Sequence, residues 1–265
     1  LLEKLEYQCI QGTLDKEITA VIYDSRKAEK DALFVCIKGA VSDGHSYAEE
    51  VADKGVSVLV VQDPVQVGPE VTVIQVEDTR YALASISAAW FDYPAGKLKT
   101  IGITGTKGKT TTTYLIKSIL ENAGHKTGLI GTIETVIGEE KIPSANTTPE
   151  SYLIQEYFAK MVKAGCDSVV MEVSSQGLML HRTSGFIFDI GIFTNIEPDH
   201  IGPNEHKDFD DYLHCKSLLF RQCKVGIFNG DDPHLEKILE GHTCQAETFG
   251  FSPNADLRAE DTRLV

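Results

Sequence analysis

The chain has 265 residues, 42% of them hydrophobic and 24% charged, with a formal net charge of -14; that length predicts two domains rather than one. The acidic balance excludes a sequence-independent nucleic-acid binder, which needs a surplus of Lys and Arg against phosphates. No apolar stretch approaches the roughly 18–20 residues that span a bilayer, and the N-terminal LLEKLEYQCIQG lacks the basic-then-apolar order of a leader, so a cytoplasmic chain without membrane contact is expected.

In chain order, TAVIYD (19–24), ALFVCI (32–37), VSVLVV (56–61) and VTVIQV (71–76) read as strands. SYAEEVADKG (46–55) and TRYALASISAAWFDY (79–93) read as helices, the first ended by Gly55. YPAGK (93–97) punctuates the pattern and predicts a boundary between domains 1–95 and 96–265. The alternation then restarts: strand 98–103, helix 109–122, strand 127–130, a helix from about Glu150, strands 168–173 and 188–194, a helix over 209–220, strand 225–229 and a short helix after Pro233. Such βαβ succession predicts an α/β fold, a mostly parallel sheet with helices on both faces, whose ligands bind beyond the carboxyl ends of the strands.

Between the strand at 98–103 and the helix that follows lies TGTKGKTT. Gly105 and Gly108 let the backbone turn tightly and aim its N–H groups at phosphate oxygens; Lys109 can neutralise charge and the Thr110 hydroxyl can reach a magnesium ion. The full Walker pattern needs a glycine where Ile103 stands, leaving G-x-x-G-K-T, which fits a nucleoside triphosphate and is also the form of an ordinary Gly-rich turn. Lys107 reads equally as a solvated loop lysine.

Glu172 ends an apolar strand, where a carboxylate is costly unless it meets a cation, either magnesium or a salt-bridge partner. FDIGIFTN runs into IEPDHIGPNEH and delivers Asp199, His200 and His206 to the same edge, although a His after a strand is often only a surface or capping residue. In FDDYLHCKSLLF, Tyr212, Lys216 and Phe220 share a helix face, where a lysine usually snorkels. The six cysteines show neither C-x-x-C spacing nor a paired His and read as reduced structural thiols, with a nucleophile or zinc site as the alternative.

The ordered set TGTKGKTT, NTTPES, MEVSSQGL, FTNIEPDH, YLHCKSLLF and FNGDDPH resembles the Mur ligases of peptidoglycan synthesis, and within them the MurE type. YDSRKAEKDALFVCIKGAVSDGHSYAEEVADKG is similar to that type's UDP-binding domain.

The resemblance implies an ATP-dependent amide-bond-forming ligase of cell-wall biogenesis. It would add lysine or meso-diaminopimelate to UDP-N-acetylmuramoyl-L-alanyl-D-glutamate through an acyl phosphate. It places ATP on Gly105, Thr106, Lys107, Gly108, Lys109, Thr110 and Thr111, with Asn229 and Asp232 by the adenine. It implies two magnesium ions, one near Thr110 and Glu172, the other near His200 and Lys216, with Lys216 carbamylated and Lys109, Lys216 and His200 catalytic. Tyr23, Ser25, Ala40, Val41 and Ser42 would contact the uridine part; Asn146, Thr147, Thr148, Ser174 and Arg182 would hold the muramoyl-dipeptide end. Taken singly, Asn146 to Pro149 read as a loop into a helix capped near Thr148, and Arg182 as a surface charge.

Two departures stand out: IGPNEHKDF replaces the family's L-D-Y-H-G continuation, and Leu180 replaces a glutamine. The resemblance implies a third, amino-acid-binding domain that the 265 residues do not include, so this piece alone is expected to be a monomer that binds nucleotides weakly and does not complete ligation. The alternatives are a paralogue or folylpolyglutamate synthetase-like ligase with another substrate, or a non-catalytic nucleotide-binding module. A GTPase-like switch is disfavoured by the missing N-K-x-D signature.

Overall fold

The computed structural model describes residues 1–39, 42–203 and 205–260. The chain divides into two compact units, Leu1–Asp92 and Tyr93–Val265. Each is built on a mostly parallel sheet flanked by helices, the α/β class expected. Among the described residues no helix is long and apolar enough to cross a membrane.

The first unit runs β1 (Gln8–Gln11), β2 (Val21–Ile22), β3 (Leu33–Val35), α1 (Ala48–Asp53), β4 (Val58–Val61), β5 (Thr72–Gln75) and α2 (Thr79–Trp90). Its sheet has the order β1-β5-β4-β3-β2, parallel except for the antiparallel β1–β5 pair. β3 and β4 are buried along their whole length, as strands covered on both faces must be. Val51 of α1 packs with Phe34, Leu59 and Val73, while Asp78 caps α2 by accepting from the Arg80 and Tyr81 amides. α1 is shorter than 46–55, because Gly44–Tyr47 wind as a 3-10 turn and Gly55 turns left-handed at φ +92°.

The second unit runs β6 (Lys99–Thr104), α3 (Lys109–Asn122), β7 (Thr127–Ile130), β8 (Glu134–Ile137), β9 (Glu140–Pro143), α4 (Ser151–Lys163), β10 (Ser168–Glu172), α5 (Ser175–Met179) and β11 (Phe188–Phe193). It continues with α6 (Phe209–Ser217), β12 (Cys223–Asn229), α7 (Leu235–Ile238), β13 (Gln245–Gly250) and β14 (Leu257–Arg258). The sheet order is β14-β13-β12-β11-β6-β10-β7-β8-β9, parallel as far as β7 and antiparallel in the β8–β9 hairpin. One face meets α3 through Ile101, Ile103 and Val170 against Ile116 and Leu120. The other, with Val169, Met171 and Phe193, packs with Phe158 of α4 and Tyr212 of α6.

Two helices of this unit differ from the sequence expectation. The helix expected over 209–220 ends at Ser217 and tightens into a 3-10 turn over Leu218–Arg221, which keeps Phe220 buried with its ring 4.4 Å from that of Phe228. The helix expected to be capped near Thr148 is capped by Glu150, whose carboxylate accepts from the Ser151 amide. Thr148 instead ties the loop to β10, its hydroxyl donating to Glu172 O and accepting from the Ser174 amide. The pairs β8–β9 and β13–β14 and the short α5 extend the pattern.

β6 and β11 are neighbours, and the connection leaving β6 runs to β7 on one side of the sheet while that leaving β11 runs to β12 on the other. This is a topological switch point, and the crevice outside the carboxyl ends of these strands is where such sheets take ligands.

Candidate active site

β6 delivers its chain into the loop Gly105–Gly108, and α3 starts at Lys109. Gly105 holds φ +151°, and a Cβ there would run into Thr194 Oγ1 and lie 3.0 Å from Asn195 O. Gly105→Ala is therefore expected to destabilise the unit by about 2 kcal/mol, read as a lower urea midpoint at constant slope. Gly108 enters the helix at φ +85°. The first-turn amides at Lys109, Thr110 and Thr111 lack intrahelical acceptors, which makes the helix start an anion site.

The segment after β11 clamps this loop. Asn195 Oδ1 accepts from the Lys107 amide at 2.9 Å, while Thr194 Oγ1 and Asn195 Nδ2 donate to Lys107 O. Thr106 is buried, its hydroxyl 3.1 Å from Tyr212 OH and accepting from the Glu197 amide. Lys107 is a solvated lysine, its Nζ 2.9 Å from the exposed Glu197.

Two lysines converge on one carbonyl. Lys109 Nζ donates to Gly105 O at 2.8 Å and Thr106 O at 3.0 Å; Lys216 Nζ donates to Gly105 O at 2.8 Å. Lys216 does not snorkel: it is 1% exposed, with Nζ 4.5 Å from the centre of the Tyr212 ring. Burial and the adjacent Lys109 charge push its amine well below the ordinary lysine value, and Asp199 only partly opposes them. Burial also lowers Lys109, against the pull of Glu172 and Asp199. Tyr212 is pushed up to about 12 by burial, so its phenol stays protonated.

Glu172, 1% exposed at the end of β10, sits in register with Ile103. Its carboxylate accepts from the Thr110 hydroxyl at 2.9 and 3.0 Å, from the Thr132 hydroxyl at 3.1 Å and from the Thr132 amide at 2.8 Å. These partners are hydroxyls and an amide, so the salt-bridge reading does not hold among the described residues. Oxygen donors side by side on a buried anion suit a hard cation such as magnesium. Thr132 went unnoticed in the sequence because it follows a strand with no motif around it.

Beside Lys109 opens a cavity of about 180 Å³ lined by Asn146, Thr147, Thr148, Ser174, Arg182 and His200, together with Ser175 and Gln176. Arg182 is no free surface charge: Nη1 donates to Thr148 O at 3.0 Å and Nε lies 3.7 Å from Glu150. Ser174 caps α5 through the Gly177 amide. His200 is half exposed at φ +54°, its Nδ1 3.3 Å from Glu205 Oε1. Leu180 is half-buried outside the cavity lining.

Asn229 and Asp232 hold backbone. Asn229 Nδ2 donates to Thr194 O and its Oδ1 accepts from the Asp231 amide; Asp232 accepts from the Ile196 and His234 amides. They fix the segment that clamps the loop Gly105–Gly108. All six cysteines are free. His206, Asp211 and Cys215 lie close enough to share an ion, but both imidazole nitrogens are engaged by Ser175 and Asp211, and burial pushes Cys215 up to about 11.

In the first unit, Tyr23 follows β2, and Ser25 opens a 3-10 turn capped by Asp24. Ser42 O accepts from the Gly39 amide at 2.9 Å. His45 accepts on Nε2 from the Gln62 and Asp63 amides, while Nδ1 lies 2.6 Å from Asp43. These groups follow the carboxyl ends of β2, β3 and β4. Ala40 and Val41 lie outside the described residues.

The chain is 44% identical over all of its length to a UDP-N-acetylmuramoyl-L-alanyl-D-glutamate–2,6-diaminopimelate ligase of Clostridium acetobutylicum, covering 55% of that relative. It is 45% identical to the enzyme of that name from Clostridium perfringens, covering 98% of this chain and 54% of the relative. The chain thus spans about half the length of the curated relatives it matches. A solved structure of a ligase of that name superposes with a TM-score of 0.79 at 22% identity, over 92% of this chain and 52% of that one. MurF from Acinetobacter baumannii superposes at 0.59 and 24% identity, over 90% and 49%, a likeness of fold. Residues 17–91 match the model of the Mur ligase family catalytic domain. Because residues 103–264, more than half of the chain, match the Mur ligase middle domain, the protein belongs to the Mur ligase family.

Proposed function

We propose that this protein works as an ATP-dependent amide-bond-forming ligase of cytoplasmic peptidoglycan-precursor synthesis, extending UDP-N-acetylmuramoyl-L-alanyl-D-glutamate with diaminopimelate. The observation that carries the reading is the meeting of Lys109, Lys216 and the Thr110–Glu172 pair around one loop, beside a cavity lined by Asn146, Thr147 and Arg182. The choice of diaminopimelate over lysine rests on the names of the relatives.

In the reaction, the γ-carboxylate of D-Glu attacks the γ-phosphorus of ATP, the bond to the β–γ bridging oxygen breaks, and an acyl phosphate and ADP form. The incoming amine then attacks the acyl carbon, phosphate leaves, and the nitrogen gives up its proton. An anion attacking an anion is slow unless charge and approach are controlled. The loop amides and Lys109 would hold the triphosphate, and Arg182, in the wall of the cavity beside Lys109, would meet the carboxylate.

Thr110 and Glu172 fit a magnesium ion, which would neutralise phosphate oxygens when bound. His200 and Lys216 fit a second ion only if Lys216 carries a carbamate, since an amine bonded to Gly105 O offers no oxygen ligand. A depressed lysine supplies the neutral amine that carbon dioxide requires. Tyr23, Ser25 and the segment ending at Ser42 would hold the uridine part, and Asn229 and Asp232 would border the adenine.

The test is turnover by the full-length protein with ATP, the UDP-dipeptide, and diaminopimelate or lysine in parallel. ADP released one for one with UDP-tripeptide, dependent on diaminopimelate, is the expected result. Turnover of a folate substrate instead, or no nucleotide-peptide product, would overturn the reading.

A further inference from the structure

Ser175 is among the cavity residues with no part in the chemistry above. The first residue of α5, it is 3% exposed and lines the cavity between Ser174 and Gln176. Behind it stands His206, wholly buried, with Nε2 2.8 Å from Ser175 Oγ and Nδ1 3.2 Å from Asp211 Oδ2. The same Asp211 oxygen accepts from the Lys207 amide, and the Asp211 amide donates to Asp208, the cap of α6.

A carboxylate only accepts, so a neutral imidazole here carries its proton on Nδ1 and leaves Nε2 bare. The Ser175 proton is then committed to Nε2, and the hydroxyl turns lone pairs to the cavity. Four of its neighbours are differently equipped. Lys109 and Arg182 can only donate, the Thr148 hydroxyl is engaged by Glu172 O and the Ser174 amide, and Ser174 Oγ by the Gly177 amide.

We infer that Ser175 contacts substrate as a hydrogen-bond acceptor for an N–H group beside the reacting carboxylate, with His206 and Asp211 as positioning residues that lock the hydroxyl in that orientation. This rests on the ligase reading. The N–H belongs either to the peptide amide of the UDP-dipeptide or to the incoming amine, and two arms of one experiment distinguish them.

The first arm measures binding by calorimetry to the full-length protein, using the UDP-dipeptide and an ester analogue lacking the Ala–Glu N–H. The second measures the KM for diaminopimelate. If the amide is the donor, the analogue binds wild type roughly tenfold more weakly than the parent, and Ser175→Ala binds the two alike. If the amine is the donor, Ser175→Ala raises the KM for diaminopimelate about tenfold and leaves UDP-dipeptide binding unchanged.

In either case the KM for ATP stays constant, His206→Leu reproduces Ser175→Ala, and the double variant is no worse than either single one. His206→Gln, which returns an amide oxygen near the Nε2 position, restores the effect to within about threefold. Ser175→Ala with unchanged dipeptide discrimination and unchanged diaminopimelate KM would overturn the inference, without needing any His206 variant to fold. A wild-type protein that binds no UDP-dipeptide would overturn the ligase reading and this inference with it.

Discussion

Replacing Lys109 with alanine in the full-length protein is expected to lower kcat by about 10²–10³ while leaving the fold intact. Its ammonium is held by Gly105 O and Thr106 O, so the charge is already in place before nucleotide arrives. Without it Gly105 O keeps its bond from Lys216 Nζ, which limits the cost to stability. Stopped turnover with a urea midpoint near that of wild type is the expected pair of measurements. Unchanged ligase turnover would remove the loop from the mechanism.

Lys216 is expected to separate function from stability. Lys216→Met should abolish turnover yet match or exceed wild-type stability, by on the order of 1–2 kcal/mol, because a buried amine is replaced by an apolar chain of similar length. Gly105 O keeps its bond from Lys109. The pH dependence has a definite sign. The folded-state value lies well below the ordinary 10.5, so between the two the unfolded chain holds a proton that the folded chain does not. Wild-type stability therefore rises with pH through that window. The advantage of the Met variant should shrink as pH approaches 10, in urea titrations at several pH values. An advantage that grows with pH would mean that Lys216 is charged in the folded protein.

Much of this site was legible because its residues sit at strand ends. Residues 109–122 and 127–130 emerge as α3 and β7 with the expected limits, since Gly108 and Gly124 bracket a helix whose apolar stripe meets a buried strand. Glu172 stood out because a carboxylate among Val and Met is anomalous. The β8–β9 hairpin was legible in principle, as Gly138 at φ +60° turns VIGEEKI, but β9 is largely exposed and its alternation is weak.

β13 and β14 lie at the sheet edge, where outward-facing polar residues blur the period. His206 and Ser175 were hidden for another reason. They are 31 residues apart, and only the packing of α5 on α6 shows that the histidine placed with His200 at the strand edge turns inward.

The central claim, that ATP activates a carboxylate as an acyl phosphate, is tested most directly with UDP-dipeptide carrying ¹⁸O in the D-Glu γ-carboxylate. Full-length protein turning over this substrate should transfer one labelled oxygen to each inorganic phosphate released. Unlabelled phosphate accompanying amide formation would contradict the account.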